Sequence, residues 1–526
     1  MKQFTSKYAD QIKGVLSGFD RLVFRGTLLR LTYPEGLQHY LHAANVLLKD
    51  FGTHSEQVTQ RIKAASVAEC KSLDRPLQYL QSPGCSKEDI ARQIAVQDGV
   101  TDGLICVLSA VEPCQTFEIY RNRDIQRLEL VSRRRQCLHL YHYLFHPVFG
   151  FMNARLQTWF PFRIQVCING REWLSRQMDA EGLSYHRQDN CFPWIEDFTR
   201  AQQLMDDQLK ANWPSLLNGI AQTVNPDLDQ VLEQYPASYY WSAHQSEWAT
   251  DIVFADTAFL RRLYPMLLRH GISTLQSTDV MRFLARRLRG DGSVPARFDA
   301  EVVTDLRERE EGVRMKHRID HNSLKVYDKA YTPFGNVLRA EATINDVTDF
   351  RVYRPKESDP NRSYAWQALR KGVADIHRRA EVSQRANDRY LDALAAVDDT
   401  TTLQEMALQP TAPTTLNGKR VRALNPLASE DLALLQAVAR GEFALNGLRN
   451  RDLQRLLYRS EPADPVEARR RSACVTRKLR MLRAHGILTK VPHTHRYQVT
   501  PAGRTFLTAI LTARTTPIRQ LLPMAA

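Results

Sequence analysis

No stretch of the 526-residue chain reaches the roughly 18 apolar residues that a membrane-spanning helix needs. The opening Met1-Lys2-Gln3-Phe4-Thr5-Ser6-Lys7 also lacks the apolar run of a signal peptide, so a cytosolic protein with no membrane partner is expected. None of the eight cysteines stands in a C-x-x-C pair, and several sit within apolar runs such as Leu104-Ile105-Cys106-Val107-Leu108. That pattern excludes a zinc ribbon and a disulfide framework and fits reduced core thiols. There is no G-x-x-x-x-G-K-[ST] loop, no strand-associated G-x-G-x-x-G and no H-E-x-x-H, so nucleotide-driven and zinc-protease chemistries have no motif. What is present, 43% hydrophobic and 25% charged residues, is the composition of a folded globular chain.

Acidic residues are scarce in one region only. From Thr411 to Ala526 there are 20 basic and 7 acidic residues, whereas the rest of the chain carries 52 against 51. A near-neutral body with a basic tail is the electrostatic pattern of a nucleic-acid-binding module, because each cation set against a phosphate releases a condensed counterion. The tail reads as helix over Glu430–Arg440 capped by Ser429, a second helix begun by Asn450, and a third from about Glu467 to Ala484. Two strands follow, Ile487–Val491 and Arg496–Thr500, and then a helix opened by Pro501. Over Asn425–Leu511 this order resembles the winged helix-turn-helix of MarR-like regulators. The resemblance implies that the third helix enters the major groove, with Arg470, Arg477, Lys478 and Arg480 near DNA and Lys490 and Arg496 flanking the wing.

The body reads as strands (Arg21–Leu28, Leu104–Leu108, Phe117–Tyr120, Arg163–Ile168, Ser323–Asp328, Val337–Ile344) mixed with helices (Glu35–Leu48, Phe259–His270, Tyr364–Val397). Pro265 is expected to kink or split the second of these helices. The fold class expected is α+β, a mixed α/β body with an antiparallel sheet, plus the C-terminal winged helix. The expected organisation is a mixed region over residues 1–245, an α+β region over 246–400, a linker over 401–424 and the winged helix over 425–526.

If Ser323–Asp328 and Val337–Ile344 pair as a hairpin, their polar faces coincide and gather Lys325, Tyr327, Lys329, Arg339 and Glu341. That load suits phosphodiester transesterification. A phenol with a pKa near 10 attacks phosphorus when cations or a metal favour the phenolate, while a carboxylate holds the metal and Lys and Arg stabilise the added charge. Tyr327 is then the nucleophile, Glu341 a ligand for Mg²⁺ or Mn²⁺, and Lys325, Lys329 and Arg339 the phosphate stabilisers. Arg314, Lys316 and Arg318 form a basic flank for nucleic acid. The Tyr327-Asp328-Lys329 segment followed by Arg339-Ala340-Glu341 resembles the Y-D-K and R-x-E of plasmid tyrosine rolling-circle replication initiators and filamentous-phage replication nucleases. The resemblance implies nicking of one DNA strand, a covalent tyrosine link and a carboxylate-bound metal, with Asp20, Glu247 and Asp251 as further acidic strand positions.

The function expected is therefore that of a mobile-element-type DNA-processing enzyme acting on single-stranded or duplex DNA. The alternatives are a non-catalytic DNA-binding regulator or replication factor and an RNA-binding protein. Other features read more plainly. His139, His142 and His146 would align on a helix as buried or half-exposed rings. Arg282, Arg286, Arg287 and Arg289 would track phosphates or form a solvated face. Tyr239-Tyr240-Trp241 would be core or stack on bases, and Asp305–Glu311 would be a solvated helix end.

Overall fold

Alternating and continuous apolar strands dominate the body, and they assemble into one large sheet. The computed structural model describes residues 1–82, 84–275, 277–284, 302–309, 312–329, 335–348, 350–355, 363–395, 403–440, 443, 447–458, 460–491 and 494–515. In chain order the body strands are β1 (Ile12–Thr27), β2 (Leu77–Tyr79), β3 (Gly103–Asn122), β4 (Arg127–His146), β5 (Gly150–Gln157) and β6 (Ile164–Asn169). They continue as β7 (Tyr185–Gln188), β8 (Cys191–Ile195), β9 (Tyr240–Phe254), β10 (Val302–Arg309), β11 (Gly312–Ile319), β12 (Asn322–Asp328) and β13 (Val337–Ile344). Eleven of these form a sheet in the order β10-β11-β12-β13-β9-β1-β6-β5-β4-β3-β2. Every neighbouring pair is antiparallel except β2 with β3. The fold is thus mixed α and β around a mostly antiparallel sheet.

The two faces differ. On one, Trp248, Ala340 and Ala342 lie beneath helix Ile376–Leu394. That helix buries Ile376, Ala380, Ser383, Asn387, Tyr390, Leu391 and Leu394, the three-and-four spacing of an inward stripe. Asn387 pins it by donating to the carbonyls of Trp248 and Ala340 at 3.1 Å each, and the Trp248 indole donates to Gln384 at 2.7 Å. Further along, Leu22, Phe24, Leu140, Ala154, Leu156, Val166 and Ile168 join the main core. Each large apolar side chain buried there contributes on the order of 1.5–3 kcal/mol. The opposite face holds an apolar cluster over β3–β5, with Leu108, Tyr141, Tyr143 and Phe151, and is polar where β12, β13, β9 and β1 carry the candidate site.

Several expectations change. The boundary at 245/246 falls inside β9, so 1–245 and 246–400 share one sheet. The body comprises Met1–Arg269 and Val302–Leu394, and the chain from Ala395, with His270–Arg282, forms a second unit. The expected long helix from Tyr364 begins as a strand, Tyr364–Ala368, and becomes α-helical only at Ile376, after a 3-10 turn at Val373–Asp375. Its aromatic start favours a pleat over a helix. His139, His142 and His146 lie on β4, where side chains alternate, so His139 and His142 point to opposite faces and form no ligand set. Asp305–Arg309 is strand, whereas Glu310 and Glu311 lie outside the described residues, as do Arg286, Arg287 and Arg289. Helix Thr257–Thr274 runs through Pro265 as one element.

In the second unit the 401–424 stretch carries helix Leu403–Thr411 and the short hairpin Thr414–Leu416/Lys419–Val421, so it is structured. Helices Ser429–Val438, Asn450–Leu457 and Pro465–Ala484 follow, then hairpin Leu488–Lys490/Tyr497–Val499 and helix Pro501–Thr515. Leu435, Val438, Leu453, Val475, Leu479 and Leu482 share one core. Ala428 precedes the first helix without a side-chain cap, and Arg449 occupies the cap position before Asn450. Asp464 caps the third helix by accepting from the Glu467 amide at 2.7 Å.

Candidate active site

The polar face is made by register. Lys325 pairs with Glu341 and Tyr327 with Arg339 across β12 and β13. Arg339, Glu341 and Thr343 lie opposite Asp251, Ala249 and Glu247 of β9. The next strand, β1, would present alternate residues, but Phe19 pairs with Trp248 and Arg21 with Glu247, leaving Asp20 as an extra residue. Such a bulge re-aims a side chain, and it delivers Asp20 to the same face. Carboxylate oxygens of Asp20, Glu247 and Glu341 then lie within 4.8 Å of one another. Two oxygens bound to one ion at about 2.1 Å stand at most about 4.2 Å apart, and at about 2.4 Å about 4.8 Å apart. The three acids therefore fit a hard divalent cation after a contraction of a few tenths of an ångström for Mg²⁺ or Mn²⁺.

Glu341 is the hub. Its Oε1 accepts from Lys325 Nζ at 2.5 Å and its Oε2 from the Tyr327 hydroxyl at 2.7 Å. Burial alone would raise the Glu341 pKa, but Lys325, the hydrogen bond from Tyr327 and the charge of Arg339 hold it down to about 2. Asp20 is the opposite case. Burial pushes its carboxyl above the usual range even though Arg339 and Arg171 pull the other way. Glu247 is raised too, by burial and by the charge of Glu341, with Lys325 opposing. In two of the three acids, burial thus outweighs the pull of the protein's own cations towards the ionised form.

Asp251 and Arg339 have other work. Arg339, fully buried, donates to Asp251 from Nε at 2.5 Å and from Nη2 at 2.7 Å, reaches Asp20 at 3.2 Å, and donates to the Asn190 carbonyl at 2.7 Å. Arg171, also fully buried, donates to Asp251 at 3.0 Å. Asp251, expected as a metal ligand, is instead the counter-ion of two guanidiniums, which keeps its pKa low against burial. Arg339, expected to stabilise phosphate, is committed to positioning Asp20 and Asp251. Lys329 is buried against Asp189 at 2.9 Å.

The phenol also departs from expectation. Tyr327 and Glu341 point the same way, but Tyr327 is only 6% exposed. Burial and the Glu341 charge push its pKa well above 10, with Arg339 opposing. Its cationic neighbours are spent on carboxylates, so the phenolate is not favoured in the metal-free protein. Glu247 and Lys325 are the half-buried members through which the cluster meets solvent. Arg314, Lys316 and Arg318 lie beside them, because β11 places Lys316 opposite Lys325 and Arg318 opposite Ser323. Burial and the charges of Lys325 and Arg314 depress the Lys316 pKa, with Asp305, its partner across β10 and β11, opposing.

Arg171 and Asn190 escaped the sequence reading. Asn190, in the turn of the β7–β8 hairpin, donates to both oxygens of Asp20 at 3.0 and 2.9 Å. Asp189-Asn190 is a turn signal, and Asp189 has a φ of 54°, yet nothing local says which carboxylate the turn will reach. Arg171 follows Asn169-Gly170 at a helix start, and its partners lie 80 and 151 positions away. Gly170 is required there, because a Cβ would lie 1.8 Å from the Phe19 carbonyl beside the bulge.

The aromatic run at 239–241 is mostly structural. Trp241 is buried and donates to Asn218, and the Tyr239 hydroxyl donates to the Phe162 carbonyl. Exposed aromatics stand instead on the hairpin Arg351–Pro355/Tyr364–Ala368, where Tyr353, Tyr364 and Trp366 are 58%, 60% and 60% exposed. Tyr353 lies 5.5 and 5.6 Å from the other two rings. In the second unit Arg470, Arg477 and Lys490 are exposed and Arg496 is half-buried, while Lys478 pairs with Glu430 at 2.7 Å and Arg480 donates to the Leu416 carbonyl at 3.4 Å.

Among the described residues no helix is long and apolar enough to cross a membrane. Comparison with protein-family models, with curated proteins and with solved structures finds no match.

Proposed function

We propose that this chain is a divalent-metal-dependent enzyme that nicks or transfers a DNA strand at the Asp20–Glu247–Glu341 site. The observation that carries the reading is the convergence of three carboxylates, Tyr327 and Lys325 on a sheet face flanked by Arg314, Lys316 and Arg318. A bound Mg²⁺ or Mn²⁺ would polarise the scissile phosphate and stabilise charge gained by the leaving oxygen. The phenol oxygen forms a bond to phosphorus as the bond to a sugar oxygen breaks, and the phenol proton, which the hydroxyl already directs towards Glu341 Oε2, passes through solvent to the departing sugar oxygen. Lys325 holds Glu341 in place and faces the phosphate edge of the site.

The C-terminal unit would act as a winged helix-turn-helix that holds DNA through Arg470, Arg477 and Lys490. Its helix order, arginine-bearing third helix and following hairpin support that role. Tyr353, Tyr364 and Trp366 offer a surface on which unpaired bases stack, which favours a single-stranded region in the substrate.

A second reading has its own support. The burial and high pKa of Tyr327 suit a positioning group for Glu341, with water as the attacking nucleophile. One experiment separates the two. Single-stranded and supercoiled DNA are incubated with the protein and Mn²⁺ or Mg²⁺, then assayed for cleavage and for a covalent protein–DNA adduct. Adduct lost in Tyr327→Phe supports the tyrosine nucleophile. Metal-dependent cleavage without adduct, retained in Tyr327→Phe, supports water. No cleavage with either metal removes the enzymatic reading and leaves a DNA-binding protein.

A further inference from the structure

The polar face continues past the acidic cluster along β1. Arg25 lies four residues beyond Arg21 on the same face, about 13 Å away at the rise of an extended strand. There, β1 meets β6 and β5 through Arg25 opposite Gln165 and Gln165 opposite Arg155. Arg25, Arg155 and Arg163 line a depression of about 190 Å³ with Gln115, Gln157 and Gln165.

Three guanidiniums converge here with too little negative charge to match. Arg155 donates to Glu112 at 2.6 Å, but Glu112 also pairs with Lys87 at 3.2 Å, and the buried Nε of Arg155 has no hydrogen-bond partner. Arg25 meets the His244 ring nitrogen at 3.0 Å. Among the described residues no carboxylate pairs with Arg25 or Arg163. Burial lowers the pKa of both, and the charges of Arg163 and Arg155 lower that of Arg25 further. The Cys114 thiol at the rim is lowered as well, by a hydrogen bond with Cys137 and by Arg155, Arg163 and Arg134. A site with this surplus of positive charge is completed by an anion, and planar guanidinium forks match tetrahedral phosphate oxygens in pairs. The volume is below the roughly 300 Å³ of sites that enclose a whole small molecule. It suits one phosphate group of a chain passing over the sheet.

We infer that the Arg25–Arg155–Arg163 depression is a phosphate-binding site that holds a nucleic-acid phosphate while the same strand reaches the acidic cluster. The inference rests on the strand-processing reading for its ligand, but its test involves no chemistry. Affinity of the full chain for a 3′-labelled oligothymidylate is measured by anisotropy in EDTA over a range of salt. Arg163→Ala and Arg25→Gln are each expected to weaken binding about five- to tenfold and to lower the salt slope by about 0.7. Oligonucleotides with 5′-hydroxyl and 5′-phosphate ends distinguish the source of the phosphate. Equal losses with both support an internal phosphate, and a 5′-phosphate preference that disappears in Arg163→Ala supports a terminal one. If both variants keep the wild-type melting temperature, affinity and salt slope, the site is refuted. Cleavage without this effect, or this effect without cleavage, tells which of the two readings has failed.

Discussion

Replacing Asp20 and Asp251 one at a time gives opposite results if the site is built as described. The buried cluster holds four carboxylates (Asp20, Glu247, Asp251, Glu341) against three cations (Arg171, Lys325, Arg339). Asp251→Asn strips the bidentate partner from Arg339 and the closest partner from Arg171, leaving two fully buried guanidiniums poorly matched. Breaking a buried pair in this way costs about 3–5 kcal/mol, or roughly 6–10 °C of melting temperature at about 2 °C per kcal/mol for a large domain. Asp20→Asn removes the acid whose ionised form burial already disfavours, so without metal it is expected to shift stability by less than about 1 kcal/mol. It should, however, abolish stabilisation by Mn²⁺, which in the wild type is worth about 2.7 kcal/mol at a hundredfold excess over the dissociation constant. The pH dependence follows from the sign of the shift. A carboxyl raised in the folded state binds protons more tightly there, so metal-free stability falls as pH rises from about 3.8 through the raised value, and the penalty is full above it. Thermal melts of both variants with and without Mn²⁺, from pH 4 to 8, measure all of this. Equal destabilisation by the two substitutions, or Mn²⁺ stabilisation that survives Asp20→Asn, would refute the assignment.

Three more expectations follow from geometry. Gly170→Ala should destabilise the body by about 1–3 kcal/mol and also weaken Mn²⁺ stabilisation, because its Cβ would press on the Phe19 carbonyl beside Asp20; a melt with metal reports both. Trp366→Ala should reduce affinity for oligothymidylate by about 1–3 kcal/mol while leaving duplex binding unchanged in the same anisotropy assay. Arg470→Ala combined with Arg477→Ala should weaken duplex binding and lower its salt slope by nearly 2, and unchanged binding would remove the third helix of the second unit from the contact surface.

The sequence made the β12–β13 hairpin legible because alternation and a local connection show which side chains share a face. That Lys325, Tyr327, Arg339 and Glu341 share one face follows from pattern alone, whereas the pairing of Lys325 with Glu341 and of Tyr327 with Arg339 is set by the sheet. Asp20 and Glu247 could be named as acids but not joined to Glu341, since their meeting depends on β9 lying between β13 and β1. The roles of Asp251 and Arg339 were misread for the same reason: a guanidinium's partner is chosen by packing, and Arg171 comes from a helix far away in the chain. The histidines of β4 misled because a three-and-four spacing looks helical, while twenty residues of mixed aromatic and basic composition lie flat as strand. The second unit was more readable, as its helices carry their apolar stripes within short windows, although Ser429 and Asn450 do not take the cap positions.

The extra residue in β1 has a reach beyond its own carboxylate. Before it, even-numbered positions such as Leu16 and Gly18 share a side with Asp251 and Ala249; after it, odd-numbered Arg21, Val23 and Arg25 do. The strand therefore changes parity in mid-course. Deleting a residue between Gly14 and Phe19 would turn Phe19 towards the polar surface or make the first half of the strand slip by one residue, whereas deleting Asp20 itself would remove the bulge and leave Phe19 and Arg21 on the sides they already hold.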